Sequence, residues 1–107
     1  MSWTVTLKES VIDDLRWFGR KDGRILLDEA EARLGADPVE DSRSMKTLRP
    51  NPVAQRELRL FGKYRLLFNV DEEEEEVTLI LVGEKRGSAL LVRGQEFTAH
   101  HESNPAE

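Results

Sequence analysis

RELRLFGKYRLLFNVDEEEEEVTLILVGEKR, residues 56–86, is the stretch that decides the fold. β-branched, leucine and aromatic residues are concentrated here, alternating with polar ones over 57–60, which predicts strands over 56–61, 64–70 and 77–83. A turn at Gly62-Lys63 joins the first two, and the acidic run Asp71–Glu76 tips the hairpin between the second and third, so the segment reads as an antiparallel meander. Alternation sets the faces. Leu58 and Leu60 point one way and Glu57, Arg59 and Phe61 the other; Tyr64, Leu66, Phe68 and Val70 oppose Arg65, Leu67 and Asn69. Arg59 and Arg65 therefore project from one exposed face, with Glu57 beside them. Two adjacent guanidiniums repel unless an anion lies between them. A bidentate phosphate suits them. So does a carboxylate, in a Glu57/Arg59/Arg65 ladder worth about 0.2–1 kcal/mol per pair, and periodicity does not choose between the two.

Upstream, Trp3, Val5 and Leu7 alternate with Thr4 and Thr6 as a first strand. Val11, Leu15 and Phe18 then fall at helical spacing, Asp22-Gly23 interrupts, and Leu26, Leu27, Ala30 and Leu34 predict a second helix with Asp22 as N-cap and Gly35 as its stop. Pro38, Pro50 and Pro52 make 36–54 a long irregular connection whose Lys46 and Arg49 suit an anionic partner. Downstream, 85–88 reads as a turn, 89–92 as a short returning strand, and Gly94 as the end of a single domain (1–94). A polar tail (95–107) follows, carrying His100 and His101.

A chain of 107 residues and 12.3 kDa supports one modest core. No cysteine is present, which excludes disulfides, thiolate nucleophiles and thiolate-bound zinc. With two histidines as the only soft ligands, neither a metal site nor a cofactor is expected. No apolar run approaches the roughly 20 residues of a spanning helix, and the N-terminus lacks a signal-peptide layout, so a cytoplasmic protein is expected. The net charge of −5 conceals polarity: residues 43–65 carry seven basic groups against Glu57 alone, while 71–76 are all acidic. The acidic run lacks EF-hand spacing and reads as a solvated tip.

The order strand, helix, helix, proline-bearing basic loop, then Glu57-Leu58-Arg59, Tyr64-Arg65-Leu66-Leu67-Phe68 and Val82-Gly83-Glu84-Lys85-Arg86 resembles the RelE/ParE superfamily of bacterial type II toxin–antitoxin toxins, over roughly 4–92. The resemblance implies an α+β fold, β-α-α-β-β-β. Its twisted antiparallel sheet would have four or five strands, two N-terminal helices on one face and a basic active surface on the other. RelE-type members cleave mRNA in the ribosomal A site, the substrate's 2′-hydroxyl attacking the adjacent phosphate. ParE-type members inhibit DNA gyrase without catalysis.

Carried onto this sequence, the resemblance makes Arg65 the transition-state arginine and Lys85 or Arg86 the leaving-group acid. The two lysines of RelE-type strands fall on Glu57 and Arg59, so Glu57 would have to be the base. Lys46, Arg49, Arg56 and Lys63 would bind RNA. The tyrosine that stacks on the substrate base falls at Leu91, and no aromatic replaces it nearby. His100 or His101 is an alternative acid or base, or part of a frayed terminus. The implied partners are a cognate antitoxin and the ribosome with its mRNA. Gyrase, or a toxin fold that has lost activity, is the alternative.

Overall fold

The meander forms as its alternation demands. The computed structural model describes residues 3–97. In chain order these residues form β1 (Thr4–Leu7), α1 (Glu9–Trp17), α2 (Arg20–Ala36), β2 (Met45–Thr47), β3 (Arg56–Leu60), β4 (Tyr64–Asp71), β5 (Glu76–Arg86), β6 (Ala89–Val92) and β7 (Gln95–Phe97). The sheet runs β2-β3-β4-β5-β6-β7, antiparallel throughout, and β1 joins β5 in parallel. This is the expected α+β architecture with two further strands. β2 lies inside the connection read as irregular, because Met45 belongs to the core and draws 45–47 against β3. β7 carries the sheet past Gly94 to Phe97. His100 and His101 lie outside the described residues.

One face holds the main core: Leu58, Leu60, Leu66, Phe68, Leu79 and Val82 against Val11, Leu15, Leu26 and Leu34 of the helices. The helix break falls elsewhere than predicted. It is at Gly19, whose φ of +97° is a conformation only glycine adopts cheaply. Asp22 is therefore not a cap but a first-turn acid of α2, favourable to the helix dipole. Gly23 is a contact residue: a Cβ there would stand 2.5 Å from the Leu15 carbonyl oxygen, so its absence lets the helices touch. Gly35 lies within α2, which ends at Ala36. Asp37 follows in extended conformation, its carboxylate accepting from the Val39 and Glu40 N–H groups.

A second small cluster on the opposite face packs Ala54, Leu67 and Leu81 with Leu48, Leu90 and Phe97. That face depends on a bulge. Leu67 pairs with Leu81 but Phe68 with Leu79, leaving Ile80 as the extra residue of β5. Beyond it the parity of β5 inverts, so Leu81, Gly83 and Lys85 share the face of Leu67 and Arg65, while Val82 and Glu84 share that of Leu66 and Tyr64.

Candidate active site

The face constellation exists. Arg59 and Arg65 are direct cross-strand partners, and Glu57, two residues along β3, pairs laterally with Lys46 of β2. The Glu57 carboxylate serves three cations: Arg59 Nε at 3.7 Å, Lys46 Nζ at 3.8 Å and Arg65 Nε at 3.8 Å. These are ion-pair separations too long for hydrogen bonds, so a better-placed acceptor can compete for the donors. The carboxylate option that the sequence left open is thus realised, though loosely.

Exposure divides the group. The Glu57 and Arg65 side chains are 13% and 11% exposed, whereas those of Arg59 and Lys46 are 42% and 51%. Arg65 is also fastened by its Nη1, which donates to the Gly62 and Tyr64 carbonyls at 3.2 and 3.1 Å. It is a fixed guanidinium; Arg59 and Lys46 are adjustable ones. Beside them runs an open groove of about 770 Å³ lined by Lys46, Arg49, Glu57, Leu67, Leu90 and Phe97, among others. Arg49 is held there by the proline-rich loop, whose Asn51 accepts from the Val53 and Ala54 N–H groups and donates to the Arg49 and Ala54 carbonyls.

The remaining expected site residues separate. Lys85 is exposed on the site face, its β6 partner being Leu90 of the second cluster. Arg86 belongs to the other face and pairs with Glu84 at 3.5 Å. The inverted parity beyond Ile80 makes that division. Arg56 is also on the helix side of the sheet, buried and bound to Thr47 Oγ1 and Asp41 Oδ1 at 2.7 and 2.9 Å. An arginine in the same parity as Leu58 and Leu60 cannot reach the groove. Lys63, in the β3–β4 turn, leans to that side as well, its Nζ 3.7 Å from Glu84 and 5.2 Å above the Tyr64 ring.

Phe97 is the residue that sequence reasoning missed. Leu91, at the place of the stacking tyrosine, opposes Glu84 and so belongs to the helix side, whereas the β6–β7 hairpin returns an aromatic ring to the groove wall six residues later. The signal was the pair Arg93-Gly94, a two-residue turn with both φ values positive, +51° and +80°.

No protein-family model and no curated protein sequence matches the chain. Solved structures do. A chain of the toxin–antitoxin complex RelBE2 from Mycobacterium tuberculosis is 25% identical, with a TM-score of 0.67 over 79% of this chain and 100% of that one. The archaeal RelE–RelB complex from Pyrococcus horikoshii OT3 gives 21% identity and a TM-score of 0.63, covering 83% and 100%. A mutant of the E. coli toxin RelE in the free state gives 22% and 0.61, covering 82% and 88%. Architecture and likeness together give this chain the fold of the RelE toxins in these structures.

Proposed function

We propose that the chain is the toxin of a type II pair and acts as a ribosome-dependent mRNA endoribonuclease in the cytoplasm, held inactive by a cognate antitoxin. The observation that carries this reading is the loose triad of Glu57, Arg59 and Arg65 on one face, flanked by Lys85 and by a groove with Lys46, Arg49 and Phe97. In the reaction, Glu57 takes the proton of the substrate's 2′-hydroxyl as its oxygen bonds to phosphorus. Once protonated, Glu57 releases both arginines: Arg59 turns to the pentavalent phosphorane, and the fixed Arg65 presents to it the Nε–H it no longer shares with a carboxylate. The bond to the 5′-oxygen breaks and Lys85 supplies its proton, leaving a 2′,3′-cyclic phosphate. Arg65 is already oriented by two carbonyls, so little reorganisation accompanies charge build-up. Lys46 and Arg49 would track the backbone, and Phe97 would offer its ring to a base.

The antitoxin reading is supported by neighbours solved as toxin–antitoxin complexes. One feature favours the gyrase-inhibitor alternative: both arginines of the triad already have a carboxylate beside them, as they would on a non-catalytic surface. Single alanine replacements at Glu57 and Arg65, scored by growth arrest on induction with protein levels matched, test the proposal. Loss of arrest in both supports it; full toxicity in both removes the catalytic assignment.

A further inference from the structure

Asp14 of α1 is buried, 1% exposed, and is used by nothing described above. It meets the sheet where strand pairing fails. β1 covers the edge of β5 only as far as Leu79, and β6 pairs with β5 only from Glu84 onward, so among the described residues no strand pairs with the backbone between them on that side. Asp14 Oδ2 fills the gap by accepting the Val82 N–H at 3.0 Å. Its other oxygen, Oδ1, has no hydrogen bond among the described residues, yet Arg93 Nε stands 3.2 Å away. The geometry is off the hydrogen-bond line, and the contact is an ion pair. Arg93 Nη1 also lies 3.9 Å from Asp13.

Arg93 occupies a costly place. It is the first residue of the β6–β7 turn, at a φ of +51° that asparagine or glycine adopts more easily. Next to it, Gly94 lies against the Trp17 indole, where a Cβ would come within 3.0 Å of the ring. Helix α1 thus grips the hairpin turn twice, and the strands of that hairpin carry Leu90 and Phe97, a wall of the groove.

We propose that Asp14 and Arg93 are a positioning pair, clamping the β6–β7 hairpin to α1 and to the open edge of β5 so that Phe97 and Leu90 stand over Glu57. Asp14 touches no substrate; it acts through Arg93 and Val82. The charged groups facing it are Asp13 on its own helix, Lys8 just before that helix and Arg93, while the loop at Pro52-Val53 and the β5 residues Ile80 and Leu81 bring none. Burial raises the Asp14 carboxyl above its ordinary range against the opposing Val82 N–H and Arg93, so the charged form that holds Arg93 costs stability.

The value of the clamp to the reaction rests on the proposed endoribonuclease reading, but the clamp itself has its own readout. Asp14→Asn keeps the Val82 bond and removes the charge; Arg93→Asn removes the charge and eases the turn. Amide exchange of Leu90, Val92 and Phe97 should accelerate roughly tenfold in both, as expected for loss of a charge-assisted contact, while β3–β4 amides stay unchanged and acrylamide quenches Trp17 more readily. In cleavage of mRNA on programmed ribosomes the variants should raise KM with kcat nearly preserved. A purely structural turn residue predicts the opposite for Arg93→Asn, a tighter hairpin, and that result or unchanged exchange in Asp14→Asn overturns the proposal. Faster exchange without any RNA cleavage by the wild type keeps the clamp and removes the function it was assigned to serve.

Discussion

Glu57→Gln keeps the shape of the side chain and removes the charge that three cations share. At an effective dielectric of about 20, a unit pair at 3.8 Å attracts by roughly 4 kcal/mol before desolvation is counted. Lys46 and Arg59 are about half exposed, so water screens their shares to about 0–1 kcal/mol each. Arg65 carries most of the rest, because it and Glu57 are both nearly buried, but burial of the pair consumes part of the gain. Arg65 also keeps its two carbonyl acceptors in the variant. The expected net loss is about 1–3 kcal/mol, or a fall in Tm of roughly 5–15 °C. Arg59 and Arg65 then face each other uncompensated, so added phosphate should raise Tm more in the variant than in the wild type. If Glu57 is the base, cleavage of mRNA on ribosomes falls about 10²–10⁴-fold. Thermal scans with and without phosphate, and single-turnover cleavage by the folded variant, give both numbers. An unchanged Tm would refute the electrostatic hub, and cleavage within about threefold of wild type would refute the base, given the 10²–10⁴ that general bases contribute.

Other outcomes follow from the same geometry. Lys85→Ala should lower cleavage while Arg86→Ala leaves it near wild type, since the two point to opposite faces; equal effects in the same assay would contradict the parity set by the bulge. Gly23→Ala should destabilise by about 1–3 kcal/mol or more in urea titrations despite the helix preference for alanine, because its Cβ meets the Leu15 carbonyl at 2.5 Å. For Asp14, burial raises the folded pKa above the ordinary 3.8, with the Val82 N–H and Arg93 opposing. Its contribution to stability is then fully present below pH 3.8 and lost as pH rises through the folded value. Wild-type stability measured relative to Asp14→Asn should therefore decline with rising pH over that window and then level; an increase would show that the ion pair with Arg93 outweighs burial.

The face of the meander was legible because 57–60 and 64–66 alternate and the turn between them is short, which is enough to put Arg59 beside Arg65. What escaped the sequence arose from contacts that have no local signature. Ile80 looks like any other residue of the apolar run 79–82, yet as the bulge it decides that Lys85, and not Arg86, faces the site. Gly23 mimics a helix break when its role is close contact between two helices, and the real break at Gly19 is a residue with little sequence context around it. Arg56 shares the basic segment with Arg59 and Lys46 but has the parity of Leu58, so composition enrolled it and geometry removed it. Phe97 could be placed only once β6 and β7 were known to pair. Met45 anchored a strand in a stretch dominated by prolines and polar residues, whose turn is organised by the single side chain of Asn51.

The central claim is a phosphodiester-cleaving surface built on Glu57 and Arg65. Mapping RNA 5′ ends across the transcriptome shortly after induction tests it most directly. New ends are expected at fixed positions within translated codons, absent when either residue is replaced by alanine. Intact messages accompanied by double-strand DNA breaks and filamentation would contradict it and assign the chain to the gyrase-directed branch.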